Sequence, residues 1–64
     1  MTINELIALI ESERETYGIE SFALVDGTYT IRVKRGYETL AARRMAQLQA
    51  QYPDLISGGN TKTE

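Results

Sequence analysis

Asp26-Gly27, set between two runs of β-forming residues in the stretch VDGTYTIRVKRG, constrains this chain more than any other feature. An Asp-Gly pair in that setting favours a two-residue type I′ turn, because both central positions need positive φ. Such a turn fixes the pairing of the strands on either side. The spacing predicts strands over Ile19 to Val25 and Thr28 to Lys34, with Val25 opposite Thr28, Leu24 opposite Tyr29, Phe22 opposite Ile31, and Glu20 opposite Val33. Alternation then puts Phe22, Leu24, Tyr29, Ile31 and Val33 on one apolar face. Ser21, Ala23, Thr28, Thr30, Arg32 and Lys34 fall on the other, with Ile19 and Val25 at its ends.

Helical patterns flank the hairpin. Thr2-Ile3-Asn4-Glu5 is a capping-box signature, followed by Ile3, Leu6, Ile7 and Ile10 at helical spacing. The first helix is expected from Ile3 to Thr16, with Gly18 as a left-handed stop. The second is expected from Glu38 to Gln51, with Ala41, Met45, Leu48 and Tyr52 in one stripe that Leu40 and Ala42 widen. Pro53 ends it, since the residue before a proline avoids helical geometry. Leu55 and Ile56 are expected to fold back as a small apolar cap. Residues 57–64, SGGNTKTE, contain no apolar side chain and are expected to form a disordered tail. The fold class is therefore α+β, a helix–β-hairpin–helix order (α-β-β-α) in residues 1–56, with a two-stranded antiparallel hairpin covered by two helices and completed by oligomer pairing.

The case for oligomer pairing comes from size. A chain of 64 residues hides only about 60 % of the surface its unfolded form exposes. The usual supports for so small a core are disulfides, a metal or association. There is no Cys and no His, so disulfides are excluded and the usual zinc, haem and iron–sulfur ligands are missing. Association with a second copy remains, and a homodimer is expected. No cofactor is expected. The N-terminus lacks the basic and apolar pattern of a signal peptide, and no apolar run reaches the roughly 18 residues of a membrane span. The expected setting is cytoplasmic with no membrane partner, and the initial Met is read as the start of a whole small gene product.

Catalysis finds little support. Without His or Cys, a Ser or Thr nucleophile would need a Lys or carboxylate base. The lysines are Lys34, on a strand, and Lys62, in the tail. Glu11 and Glu15 are one helical turn apart, but paired carboxylates do acid–base work only in a pocket that separates their pKa values. Gly58-Gly59 precedes no helical pattern and is no phosphate loop. The chain is read as no enzyme.

Charge is divided along the chain. Residues 1–27 carry six acids against Arg14, a net of −5. Residues 28–52 carry Arg32, Lys34, Arg35, Arg43 and Arg44 against Glu38, a net of +4. The bland explanation is mutual neutralisation on a folded surface. One functional reading of the basic part is nucleic acid, with the outer hairpin face against phosphates. That face carries no aromatic side chain for base stacking. The acidic part, with Glu11 and Glu15 in the last turns of the first helix, offers a patch for a basic partner. The leading expectation is a small non-catalytic protein–protein interaction module, an adaptor, inhibitor or accessory regulator such as the small accessory proteins of bacteria and phages. The alternative is a nucleic-acid-binding regulator. Arg32, Lys34, Arg35, Arg43, Arg44, Glu11 and Glu15 are the candidate partner-binding residues. Convergence of the five cations on one exposed face favours nucleic acid; pairing with carboxylates disfavours it.

Overall fold

A computed structural model describes residues 1–63. The order is α1 (Ile3–Ser12), β1 (Ile19–Val25), β2 (Thr28–Val33), α2 (Glu38–Gln51) and β3 (Gly58–Thr63). The sheet is mixed, in the order β1-β2-β3, with β1 antiparallel and β3 parallel to the central β2. The α+β class and the hairpin between two helices agree with the sequence reading. A two-stranded sheet does not.

The hairpin turn forms as its residues demand. Asp26 has φ 52° and Gly27 φ 80°, and Val25 pairs with Thr28. Gly27→Ala is expected to destabilise the fold by about 1 kcal/mol or more, because alanine tolerates positive φ poorly. A Cβ there would also lie 3.1 Å from Ser57 Oγ. Thermal unfolding indistinguishable from wild type would contradict the turn geometry.

Further along the hairpin the register departs from expectation. Ile19, not Glu20, lies opposite Val33, and the pairing shifts between Ile19 and Ser21. Glu20 is the extra residue of a β-bulge. The bulge turns Ile19 inward, where it is 7 % exposed, and leaves the Glu20 carboxylate in water. Keeping strict alternation would have exposed an isoleucine and aimed a carboxylate at the core. That exchange costs more than one interrupted rung of the ladder.

The capping box forms as read: the Thr2 amide donates to Glu5 Oε1 at 2.9 Å, and the Glu5 amide to Thr2 Oγ1 at 3.2 Å. α1 ends at Ser12, four residues earlier than expected. Glu11, Glu13 and Glu15 place negative charge where the helix dipole is already negative. The chain tightens instead, with Glu13 N–H donating to Ile10 O and Arg14 N–H to Glu11 O. Gly18, at φ 61°, then turns it into β1.

The largest difference is β3. Gly58–Thr63, expected as part of a disordered tail, pairs along the whole of β2 from Thr28↔Gly58 to Val33↔Thr63; Glu64 lies outside the described residues. The strand starts at the hairpin turn, where the Gly27 carbonyl accepts from the Ser57 amide at 2.8 Å and the Ser57 hydroxyl at 3.2 Å. Gly59 has the ring of its neighbour Tyr29 against its backbone, in the space a Cβ would need. β2 thereby becomes an interior strand, and the open edges are those of β1 and β3.

Both helices cover one face of the sheet. α2 runs along the β3 side, with Glu38, Ala42 and Arg43 beside Thr61 and Thr63, and Gln49 Nε2 donating to the Ser57 carbonyl at 3.0 Å just before β3 begins. α1 contributes Leu6 and Ile10 to the same core, and half-buried Phe22 and Leu24 of β1 pack against it. The core draws Leu6 and Ile10 from α1, Ile19, Tyr29, Ile31 and Val33 from the sheet, Ala41, Met45 and Leu48 from α2, and Ile56 beyond it. The Ile56 cap is as expected. Leu40 and Ala42 are exposed and do not widen the α2 stripe.

Candidate interaction surface

The uncovered sheet face is polar and cationic. Ser21 and Ala23 of β1, Thr28, Thr30 and Arg32 of β2, and Asn60 and Lys62 of β3 all reach solvent there. Parallel pairing sets Lys62 directly beside Arg32 and Asn60 beside Thr30. Sequence reasoning missed Lys62 and Asn60, because nothing in an apolar-free segment signals a strand. The face has a second character at its turn end, where Val25 is 65 % exposed.

The five candidate cations do not converge. Arg32 lies on β2, Lys34 follows the strand's last residue and lines a cleft with Arg14 and Glu20, and Arg43 and Arg44 lie on α2. Arg35 sits in the connection to α2. Arg44 forms a two-pronged pair with Glu13, Nε to Oε1 at 2.8 Å and Nη2 to Oε2 at 2.9 Å. This pair ties α2 to the turn after α1, and the Glu13 carboxylate holds the Arg44 guanidinium pKa above its usual value. Bidentate geometry of this kind is the stronger class of ion pair. Arg44 therefore has a structural task, as does Glu13, which the sequence did not single out. Lys34 Nζ is 3.9 Å from Glu20 Oε1, a solvent-exposed pair of small energetic value.

Glu11 and Glu15 are both exposed. Glu15 lines an open cleft of about 340 Å³ with Arg14, Glu20, Lys34 and Tyr37, where acid and base alternate. Glu11 is not among the residues of that cleft. The mixed lining neutralises itself and provides no apolar enclosure for a small molecule. No group of three or more acidic side chains that could hold a metal ion occurs among the described residues. No helix of the described residues is long and apolar enough to cross a membrane.

Glu38 joins three segments at the far end of the sheet from the turn. Its Oε1 accepts from the Gly36 amide at 2.6 Å, and its Oε2 accepts from the Thr63 hydroxyl at 3.1 Å. Hydrogen bonds from its own amide and that of Gly36 hold its carboxyl below the usual range, as the Thr2 amide and hydroxyl do for Glu5. A carboxylate whose pKa falls on folding adds stability above its unfolded pKa of about 4.3, and that stability is lost as pH drops through the folded value. Glu38→Gln is therefore expected to melt below wild type at pH 7 and to converge with it in acid. Parallel melting curves for the two proteins from pH 7 to pH 2.5 would contradict this role.

No protein-family model matches the chain, and comparison with curated proteins and with solved structures yields no match either.

Proposed function

We propose that this chain is a small non-catalytic protein–protein interaction module, acting as an adaptor, inhibitor or accessory regulator and working as a homodimer. The observation that carries this reading is the pair of open sheet edges, β1 and β3, on a domain whose described residues include ten in the buried core. Unpaired edges present rows of backbone donors and acceptors ready for another chain. The dispersal of the cations supports the same reading, since Arg44 and Lys34 already face Glu13 and Glu20.

Size-exclusion chromatography with light scattering over a concentration series tests the homodimer. A dimer is expected at high micromolar concentration, and a strict monomer there would sink that part of the proposal. Affinity capture from cell extract, with and without nuclease, tests the partner class. Capture of a protein that survives nuclease is expected; recovery lost on nuclease treatment would reverse the ranking.

The second reading, a nucleic-acid-binding regulator, gains one observation: Lys62 beside Arg32 on an uncovered face with Thr30 and Asn60. Two cations on that face, Arg32 and Lys62, with Lys34 just past the end of β2 and 3.9 Å from Glu20, make a weak field at a Debye length of about 8 Å. Fluorescence anisotropy with duplex DNA and structured RNA is expected to give weak binding at physiological salt. Tight, steeply salt-dependent binding lost in Arg32→Ala and Lys62→Ala would put nucleic acid first.

A further inference from the structure

We propose that the β1 edge, from Ser21 to Val25, pairs antiparallel with the same strand of a second copy about a two-fold axis at Ala23, giving one continuous sheet across the dimer. This rests on the homodimer reading and assigns its interface.

The two open edges differ in how well they are guarded. Proteins protect edges with charge, especially Lys, with bulges and with residues of low β propensity. β3 carries Lys62 and begins Gly58-Gly59-Asn60. β1 has its bulge at Glu20, and from Ser21 to Val25 it carries no charge, no Gly and no Pro. Val25 is 65 % exposed, and Phe22 and Leu24 are only half-buried although they face the helix layer. The unguarded edge is thus also the one with apolar surface left to cover.

The backbone pattern selects the register. Val25 and Thr28 flank the two-residue turn and form its hydrogen-bonded pair, so alternation directs the amides and carbonyls of Phe22 and Leu24 away from β2. A two-fold at Ala23 sets Phe22 against Leu24 of the second copy, and Leu24 against Phe22, so both outward-facing residues find partners. About four inter-chain backbone hydrogen bonds result, with Ala23 opposite Ala23 as a non-hydrogen-bonded pair. Phe22 and Leu24 then meet as cross-strand apolar neighbours on the helix side.

Area brings in α1. A specific interface buries at least about 1,000 Å² in total, or about an eighth of each copy's 4139 Å² surface. Five paired residues span only about 17 Å of strand. The helix layer must close beside them, and α1, which shares the core with β1, has Ile3 at 40 % exposure and Ile7 half-buried. The ends of the paired segment bring Glu20 towards Asp26 of the second copy, with Lys34 beside Glu20 to offset the repulsion. The dimer should therefore hold or tighten as salt rises. An interface made by docking the basic sheet face onto acidic residues would weaken instead.

Ala23→Cys tests the axis directly, since the native chain has no Cys. Only a residue on a two-fold axis meets its own copy. A non-hydrogen-bonded pair holds Cα atoms about 4.5 Å apart, within the disulfide range of about 4.4–6.8 Å. Mild oxidation is expected to convert most of the Ala23→Cys chain to covalent dimer on a non-reducing gel. Thr30→Cys, exposed on the same face of the central strand, should remain largely uncrosslinked. Ala23→Lys places two lysines against each other and is expected to weaken association at least tenfold with circular dichroism unchanged. A wild-type dimer whose Ala23→Cys variant crosslinks no faster than Thr30→Cys would overturn the β1 interface while leaving the homodimer reading intact. A strict wild-type monomer would instead remove the homodimer itself.

Discussion

Truncation after Ile56 is expected to destabilise the protein by roughly 3 kcal/mol or more, lowering Tm by more than about 10 °C. The deleted segment pairs with β2 at six successive positions and takes the Ser57 anchor from the Gly27 carbonyl. Each backbone hydrogen bond lost contributes about 0.5–1.5 kcal/mol net. Removing β3 also takes Gly59 from beside the Tyr29 ring and the Thr63 hydroxyl from Glu38. A domain of this length has a total stability of only about 3–10 kcal/mol, so the truncated chain is expected to be partly unfolded at 37 °C. Differential scanning calorimetry of the two chains decides it. Matching melts would mean that residues 57–64 are dispensable, as their composition alone implies.

The second large effect is expected at the bulge. Ile19→Ala should cost about 2–5 kcal/mol, the range for deleting a buried isoleucine side chain. Ile19 packs opposite Val33 at 7 % exposure. Glu20→Ala should change stability by less than about 0.5 kcal/mol, since Glu20 is exposed and its Lys34 partner is more exposed still. Chemical denaturation of both variants measures the contrast. Under an unbroken register the ranking would invert, with Ile19 at the solvent face and Glu20 pointing inward. Equal small effects at both positions would also contradict the bulge.

The legible parts of this protein are those whose causes are local. Thr2 and Glu5 cap α1 because both partners of the capping box lie within one turn. Asp26-Gly27 closes the hairpin because two consecutive residues tolerate positive φ. Alternation around that turn correctly placed Tyr29, Ile31 and Val33 in the core, and helical spacing did the same for Ala41, Met45 and Leu48. The candidate cations were legible as residues but not as a surface. Arg44 and Glu13 are 31 positions apart in the chain, and nothing at either position signals the other.

By itself, then, the sequence determined the class, the hairpin and most of the core, because capping, turn chemistry and hydrophobic period act over a few residues. Only the tertiary structure decided β3, the bulge at Glu20 and the grouping of Arg32 with Lys62. β3 has no apolar side chain to announce it; its order comes from the backbone groups of β2, which a two-stranded hairpin would have left open. The bulge reflects a competition between regular pairing and the burial of Ile19, and it is settled only when Val33 and the helix layer are present to pack against. Long-range pairing supplies the free energy in both cases, and it acts only once the chain has folded back on itself.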